Sequence, residues 1–278
     1  MNDARRQPQT GFVEMNGTYL YYEMLGEGHP LVFLHGGYMD RRMWDAQFEE
    51  FAHQYQVIRY DIRGFGKSAL PQVSYANHED LYNLLTFLGI EKTYLVGLSM
   101  GGEIAIDFTL EHPEMVDALV LAGSSVSGVP YKQLYTQEEI NQHIQRWEPF
   151  EQAMKERNIP GMVEALMHDP TLVPSLEYPQ ARQQVRDNLS EYSFVWVLQP
   201  VQRREIVPAA WVRLNEIGCP TLVLVGGDDA IMLHRIADKL EHDIVDVRRS
   251  TIAQTHHMPN MEKPEVFNQI VHDFFSLL

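Results

Sequence analysis

Thr93-Tyr94-Leu95-Val96-Gly97-Leu98-Ser99-Met100-Gly101-Gly102 (residues 93–102) sets a G-x-S-x-G pattern between two segments of different period. Thr93 to Val96 is a short apolar run rich in β-formers, which predicts a buried strand. Beyond the serine, Ile104, Ala105, Phe108 and Thr109 recur at helical spacing until His112-Pro113 closes the pattern. The serine therefore sits on an abrupt strand-to-helix turn. Such a turn strains the serine backbone, and a side chain at Gly97 or Gly101 would crowd neighbouring main chain.

Strands and helices alternate on both sides of this turn. Upstream, Gly11–Glu14 and Tyr19–Leu25 flank Asn16-Gly17, a hairpin signal. Strand Pro30–Leu34, a helix from Trp44 to His53, strand Val57–Tyr60 and a helix from Glu79 to Leu88, stopped by Gly89, follow. Downstream come strand Ala118–Ala122 and, after an interruption, strand Thr221–Val225. A helix over His234–Leu240, a strand near Ile244–Val247 and a last helix from Pro264 to Leu277 complete the chain. Alternation of this kind predicts a mainly parallel sheet with helices on both faces. The interruption has no clear strand. It carries polar helical patterns at Glu138–Phe150 and Gln180–Leu189, with prolines recurring from Pro149 to Pro208. The reading is an α/β core in two parts, 1–124 and 213–278, split by a helical lid over 125–212.

Composition bounds the function. A chain of 278 residues with 45% hydrophobic and 22% charged residues builds one substantial core. Its formal net charge of -16 argues against nucleic acid or an anionic membrane as partner, since both call for basic surface. A single cysteine, Cys219, leaves no internal disulfide framework. The polar stretch Met1–Thr10 lacks the apolar run of a secretory signal, and no run approaches the ~20 residues of a membrane span. A cytoplasmic protein is expected, as a monomer or homodimer.

A serine hydroxyl is nearly inert at neutral pH and needs a base, itself oriented by a third group. Strand Thr221–Val225 runs into Gly226-Gly227-Asp228-Asp229, which places carboxylates at the C-terminal edge of the sheet, where α/β sheets build their sites. Gln254-Thr255-His256-His257-Met258-Pro259-Asn260 forms a loop ahead of the last helix. The histidine doublet does not read as a metal site, because adjacent residues do not converge on one ion and no matching Cys or carboxylate spacing accompanies them. No cofactor is implied.

Five blocks in this order carry a resemblance: HGGYMD (35–40), DIRGFGKS (61–68), GLSMGG (97–102), GGDD (226–229) and HHMPNMEKP (256–264). The chain resembles the α/β-hydrolase fold superfamily of small, lidded bacterial serine hydrolases. The resemblance implies an eight-stranded, mostly parallel sheet with the lid inserted after the sixth strand. It selects Asp229 over Asp228 as the acid and His257 over His256 as the base, in the order Ser, Asp, His. It also implies an oxyanion hole from the N–H groups of Gly37 and Met100. Asp61 and Arg63 are expected to tie loops together beneath the site, and His35 to hydrogen-bond backbone.

Relatives with Asp in place of Ser99 make alkyl-enzyme esters, as haloalkane dehalogenases and epoxide hydrolases do, so Ser99 points to acyl chemistry. The chain is similar to carboxylesterases and 3-oxoadipate enol-lactonases, and a small-molecule ester or lactone is the leading substrate. Alternatives on the same frame are a C–C bond hydrolase of aromatic-ring degradation, a cofactor-free haloperoxidase or perhydrolase, and a non-catalytic ligand receptor. Within the lid, Met154, Met162, Met167, Tyr178, Tyr192, Phe194 and Trp196 are candidates to line an acyl pocket, with packing inside the lid favoured for each. Arg146, Arg157, Arg182 and Arg186 are candidates to bind a substrate carboxylate, with surface solvation favoured.

Overall fold

The computed structural model describes residues 7–278 except Asn16, Pro170, Thr171 and Pro200. Residues 1–6 of the polar N-terminal stretch and Asn16 of the hairpin signal lie outside the described residues. The sheet comprises β1 (Gln9–Met15), β2 (Thr18–Leu25), β3 (His29–Leu34), β4 (Tyr55–Tyr60), β5 (Thr93–Leu98), β6 (Val116–Ala122), β7 (Thr221–Gly226) and β8 (Val247–Ile252). Their spatial order is β1-β2-β4-β3-β5-β6-β7-β8. β1 and β2 form the hairpin, β2 joins β4 antiparallel, and every later pairing is parallel. The expected fold class holds: α/β, eight strands, mostly parallel.

Burial explains why the central strands read as continuous apolar runs. Leu31–Leu34, Leu95–Leu98 and Ala118–Ala122 are buried at every position, so both faces of the sheet are covered. Helices α1 (Asp45–Phe51), α2 (Asn77–Phe87) and α3 (Met100–Glu111) follow β3, β4 and β5 in the chain. Register then decides where the chemistry sits. Leu34 pairs with Gly97, Leu98 with Ala122 and Ala122 with Leu224, so the C-terminal ends of β3, β5, β6 and β7 form one edge.

Between β6 and β7 the chain makes α4 (Tyr131–Leu134), α5 (Gln137–Lys155), α6 (Ile159–Met167), α7 (Pro179–Glu191) and α8 (Val195–Leu198). A capping box starts α5: Thr136 accepts from the Glu139 N–H while Glu139 accepts from the Thr136 N–H. Tyr178 Oη donates to the Gln254 carbonyl at 2.7 Å, Gln184 Nε2 to the Arg42 carbonyl at 2.8 Å, and Asn188 Oδ1 accepts from the Asp40 N–H at 3.1 Å. These bonds join the insert to loops at the same sheet edge.

After β7 come α9 (Ile231–Asp243), α10 (Pro259–Glu262) and α11 (Pro264–Phe275). One expectation fails here. The strand placed near Ile244–Val247 begins only at Val247 and runs to Ile252, and α9 extends to Asp243 with Ile244 buried as its cap. Among the described residues β8 is an edge strand paired only with β7, so Arg248, Arg249, Ser250 and Thr251 are compatible with it and its apolar signal is weak. Among the described residues, no helix is long and apolar enough to cross a membrane.

Candidate active site

Ser99 has φ +55 and ψ -114, a left-handed conformation that a non-glycine residue holds only when its surroundings enforce it. The enforcement is visible. Ser99 N–H donates to the Ala122 carbonyl at 3.0 Å, and Ser99 O accepts from both Glu103 and Ser125 N–H at 3.1 Å. A Cβ on Gly101 would land on the Leu34 carbonyl, and one on Gly97 would land on the Gly101 backbone. The turn therefore closes only with glycine at both positions. Met100 opens α3, so its N–H has no acceptor within the helix.

Asp229 and His257 meet across two loops. His257 Nδ1 lies 3.2 Å from Asp229 Oδ2, and both side chains are buried. Asp229 Oδ1 also accepts from the Ala230 N–H at 2.7 Å, which fixes the carboxylate plane. Asp228, by contrast, is exposed. Burial acts most strongly on His257 and favours its neutral ring. Asp229, then Glu262 and Asp169, outweigh it and hold the pKa above its ordinary value near 6.5. His256 lies outside this pair. Its backbone N–H donates to both oxygens of Glu262, at 2.9 and 3.0 Å.

Ser99, His257, Gly37 and Met100 line one cavity of about 260 Å³. Its walls are largely apolar, with Leu166, Leu172, Val173, Val185, Leu189 and Trp196 contributed by the insert. Three of the five sequence blocks, HGGYMD, GLSMGG and HHMPNMEKP, line this chamber, and GGDD reaches it through the Asp229–His257 bond. The model of the alpha/beta hydrolase fold family matches residues 29–264.

The chain belongs to the α/β-hydrolase fold family. It is 32% identical over 269 residues to the 2-hydroxy-6-oxononadienedioate/2-hydroxy-6-oxononatrienedioate hydrolase of Paraburkholderia phymatum, covering 92% of this chain and 91% of that one. It is 28% identical over 274 residues to the 2-hydroxy-6-oxo-6-phenylhexa-2,4-dienoate hydrolase of Comamonas testosteroni, covering 94% and 92%. Among solved structures, a thermophilic esterase from Thermogutta terrifontis superposes with a TM-score of 0.74 at 26% identity, covering 97% of this chain and 98% of that one. The protein is an enzyme of the hydrolase class.

The supporting residues of this α/β-hydrolase behave as structural parts. His35 is fully buried; its Nδ1 donates to the Gly36 carbonyl at 2.8 Å and its Nε2 accepts from the Ile62 N–H at 2.9 Å. That pattern fixes a neutral tautomer, and burial lowers its pKa accordingly. Asp61 accepts from Arg41 and Lys67, and Arg63 pairs with Asp80. Asp61 ties loops together as expected, whereas Arg63 ties its loop to α2.

The pocket candidates from the insert divide. Trp196 lines the cavity, Met162 and Met167 are buried within the insert, Tyr192 and Phe194 pack against Phe65 and Tyr38 of the core, and Tyr178 bonds Gln254. None of the four candidate arginines lines the chamber. Arg146 pairs with Asp169, Arg186 with Glu164, and Arg182 donates to the Pro174 and Met167 carbonyls, while Arg157 is exposed. Three residues the sequence reading passed over matter more. Glu262 holds the His257 loop, and Glu103 and Arg203 line the cavity as an ion pair at 2.8 Å. Glu262 stood in a quoted block without a role; its position two residues before the last helix was the available signal.

Proposed function

We propose that this protein is a serine hydrolase that cleaves a carboxylic ester or lactone of a small molecule through an acyl-enzyme. Ser99 Oγ attacks the carbonyl carbon while His257 Nε2 takes the hydroxyl proton, and Asp229 holds the imidazole through Nδ1. The N–H groups of Gly37 and Met100 receive the oxyanion. Collapse of the tetrahedral adduct breaks the C–O bond, and the alcohol leaves with the proton from His257. Water then repeats the sequence, releasing the acid and restoring Ser99. Residues 125–212 act as the lid that walls the acyl chamber.

The observation that carries this reading is a strained Ser99 sharing an apolar chamber with His257, whose other nitrogen is bound to buried Asp229. A C–C hydrolase acting on a dienoate is the second reading, favoured by the names of the relatives from Paraburkholderia and Comamonas. It needs a cation for the substrate carboxylate. Arg203 is the one arginine lining the chamber among the described residues, and Glu103 already pairs with it. The ester reading needs no such cation.

A hydrolysis panel of short-chain p-nitrophenyl esters, lactones and a ring-cleavage dienoate, run with wild type and Ser99→Ala, tests the choice. Esters or lactones should turn over, and Ser99→Ala should lose at least about a thousandfold in kcat. Undiminished turnover by the variant overturns the mechanism, and turnover of the dienoate alone moves the assignment to the second reading.

A further inference from the structure

Apart from the catalytic groups, Glu103 and Arg203 are the charged side chains lining the chamber among the described residues. Glu103 stands one helical turn beyond Ser99, with its N–H on the Ser99 carbonyl, about 6 Å along the axis of α3. Its side chain is only 12% exposed. Arg203 reaches it from the far end of the insert, and its backbone is clamped. Tyr75 N–H donates to the Gln202 carbonyl at 3.2 Å, and Arg204 N–H donates to the Tyr75 carbonyl at 2.7 Å. The guanidinium lies 5.9 Å from the ring centroid of Trp196, another cavity residue. The pair is thus a fixed polar patch in an apolar wall.

The charge balance of this corner limits what it accepts. Burial raises the pKa of Glu103 against the opposing pull of Arg203. Asp107, one turn further along α3, is raised to about 7, first by burial and also by the charge of Glu103. Glu205 lies 4.0 Å from Arg203. Acids outnumber the base, so a substrate carboxylate would add an anion where anions are already crowded. An alkyl end would strip solvent from the pair and return no hydrogen bond. A neutral oxygen suits it: a ketone accepts from Arg203, and a hydroxyl also donates to Glu103.

We propose that Glu103 and Arg203 form a specificity subsite that selects acyl groups carrying a neutral ketone or hydroxyl about one helical turn from the reacting carbonyl. The same subsite disfavours acyl groups that end in a carboxylate. This rests on the ester reading and names the substrate class within it.

Three methyl esters of one chain length make the test: hexanoate, 5-oxohexanoate and the monoester of adipate. Wild-type kcat/KM should favour 5-oxohexanoate over hexanoate on the order of tenfold, with the adipate monoester lowest. Arg203→Met should bring the ketone-to-alkyl ratio towards one. Glu103→Gln should raise the adipate monoester relative to hexanoate by freeing the Arg203 charge. Calorimetric binding of the same esters to Ser99→Ala ranks them without turnover. Absence of hydrolysis of all three by wild type therefore counts against the ester reading, while the binding order still judges the subsite. A wild-type preference for the adipate monoester, or ratios unmoved by both variants, overturns the proposal.

Discussion

In the proposed mechanism His257 accepts a proton and works only while neutral, so its pKa sets where activity fails on the acid side. Beside the weaker pull of Asp169, Asp229 and Glu262 act on it from different directions. Asp229 bonds the ring itself, whereas both oxygens of Glu262 accept from the backbone N–H of His256, the residue before it. The Glu262 side chain is fully buried, so its charge is poorly screened. It therefore does two things at once: it fixes the loop and it favours the imidazolium. Because the pKa of His257 is raised, the neutral base is lost as pH falls through a midpoint above 6.5. Glu262→Gln keeps an acceptor oxygen but removes the charge. The acid limb of its kcat/KM profile should move to lower pH, with activity at pH 8 reduced by less than in a Glu262→Ala variant. An acid limb that stays in place would assign Glu262 to loop support alone.

At the level of elements, the turn from β5 into α3 depends on contact with β3. Gly101 is pressed against the Leu34 carbonyl, and Leu34 is followed directly by the turn that carries Gly37. An added methyl group at Gly101 pushes two parts of the site apart together. Gly101→Ala should lower kcat/KM by at least about a hundredfold, with a melting temperature reduced by several degrees. Activity assays beside thermal denaturation check this, and a variant with wild-type kcat/KM would show that the close approach is dispensable. The same closeness explains why the turn was legible in sequence. Glycine is demanded at fixed offsets from Ser99, and strands buried on both faces leave unbroken apolar runs. β8 was misplaced because an edge strand bearing Arg248 and Arg249 leaves no such run. The Glu103–Arg203 pair was illegible for another reason. Arg203 lies in an irregular segment one hundred residues from its partner, and neither periodicity nor local spacing encodes that contact.

Across the whole molecule, the insert and the sheet share one apolar interior. Phe150, Met162 and Phe194 of the insert belong to the same buried cluster as Leu34, Trp44 and Leu121 of the core. Tyr38, next to Gly37, meets Phe194 at a ring separation of 6.1 Å and Tyr192 at 6.2 Å, and Phe65 stacks on Tyr192 at 4.9 Å. Such continuity means that opening the insert fully would expose the sheet edge as well, so the two parts are expected to unfold together. Trp44 is fully buried in the core, whereas Trp147 and Trp196 belong to the insert. Replacing Trp147, Trp196 and Trp211 with Phe leaves Trp44 as the only fluorescent tryptophan reporter, placed under the sheet. Far-UV circular dichroism of that variant reports helices everywhere, including α5, α6 and α7 of the insert. The two urea transitions should superimpose at one midpoint. If ellipticity falls at lower urea than Trp44 fluorescence changes, the insert melts as a unit of its own, and the shared interior does not couple it to the core.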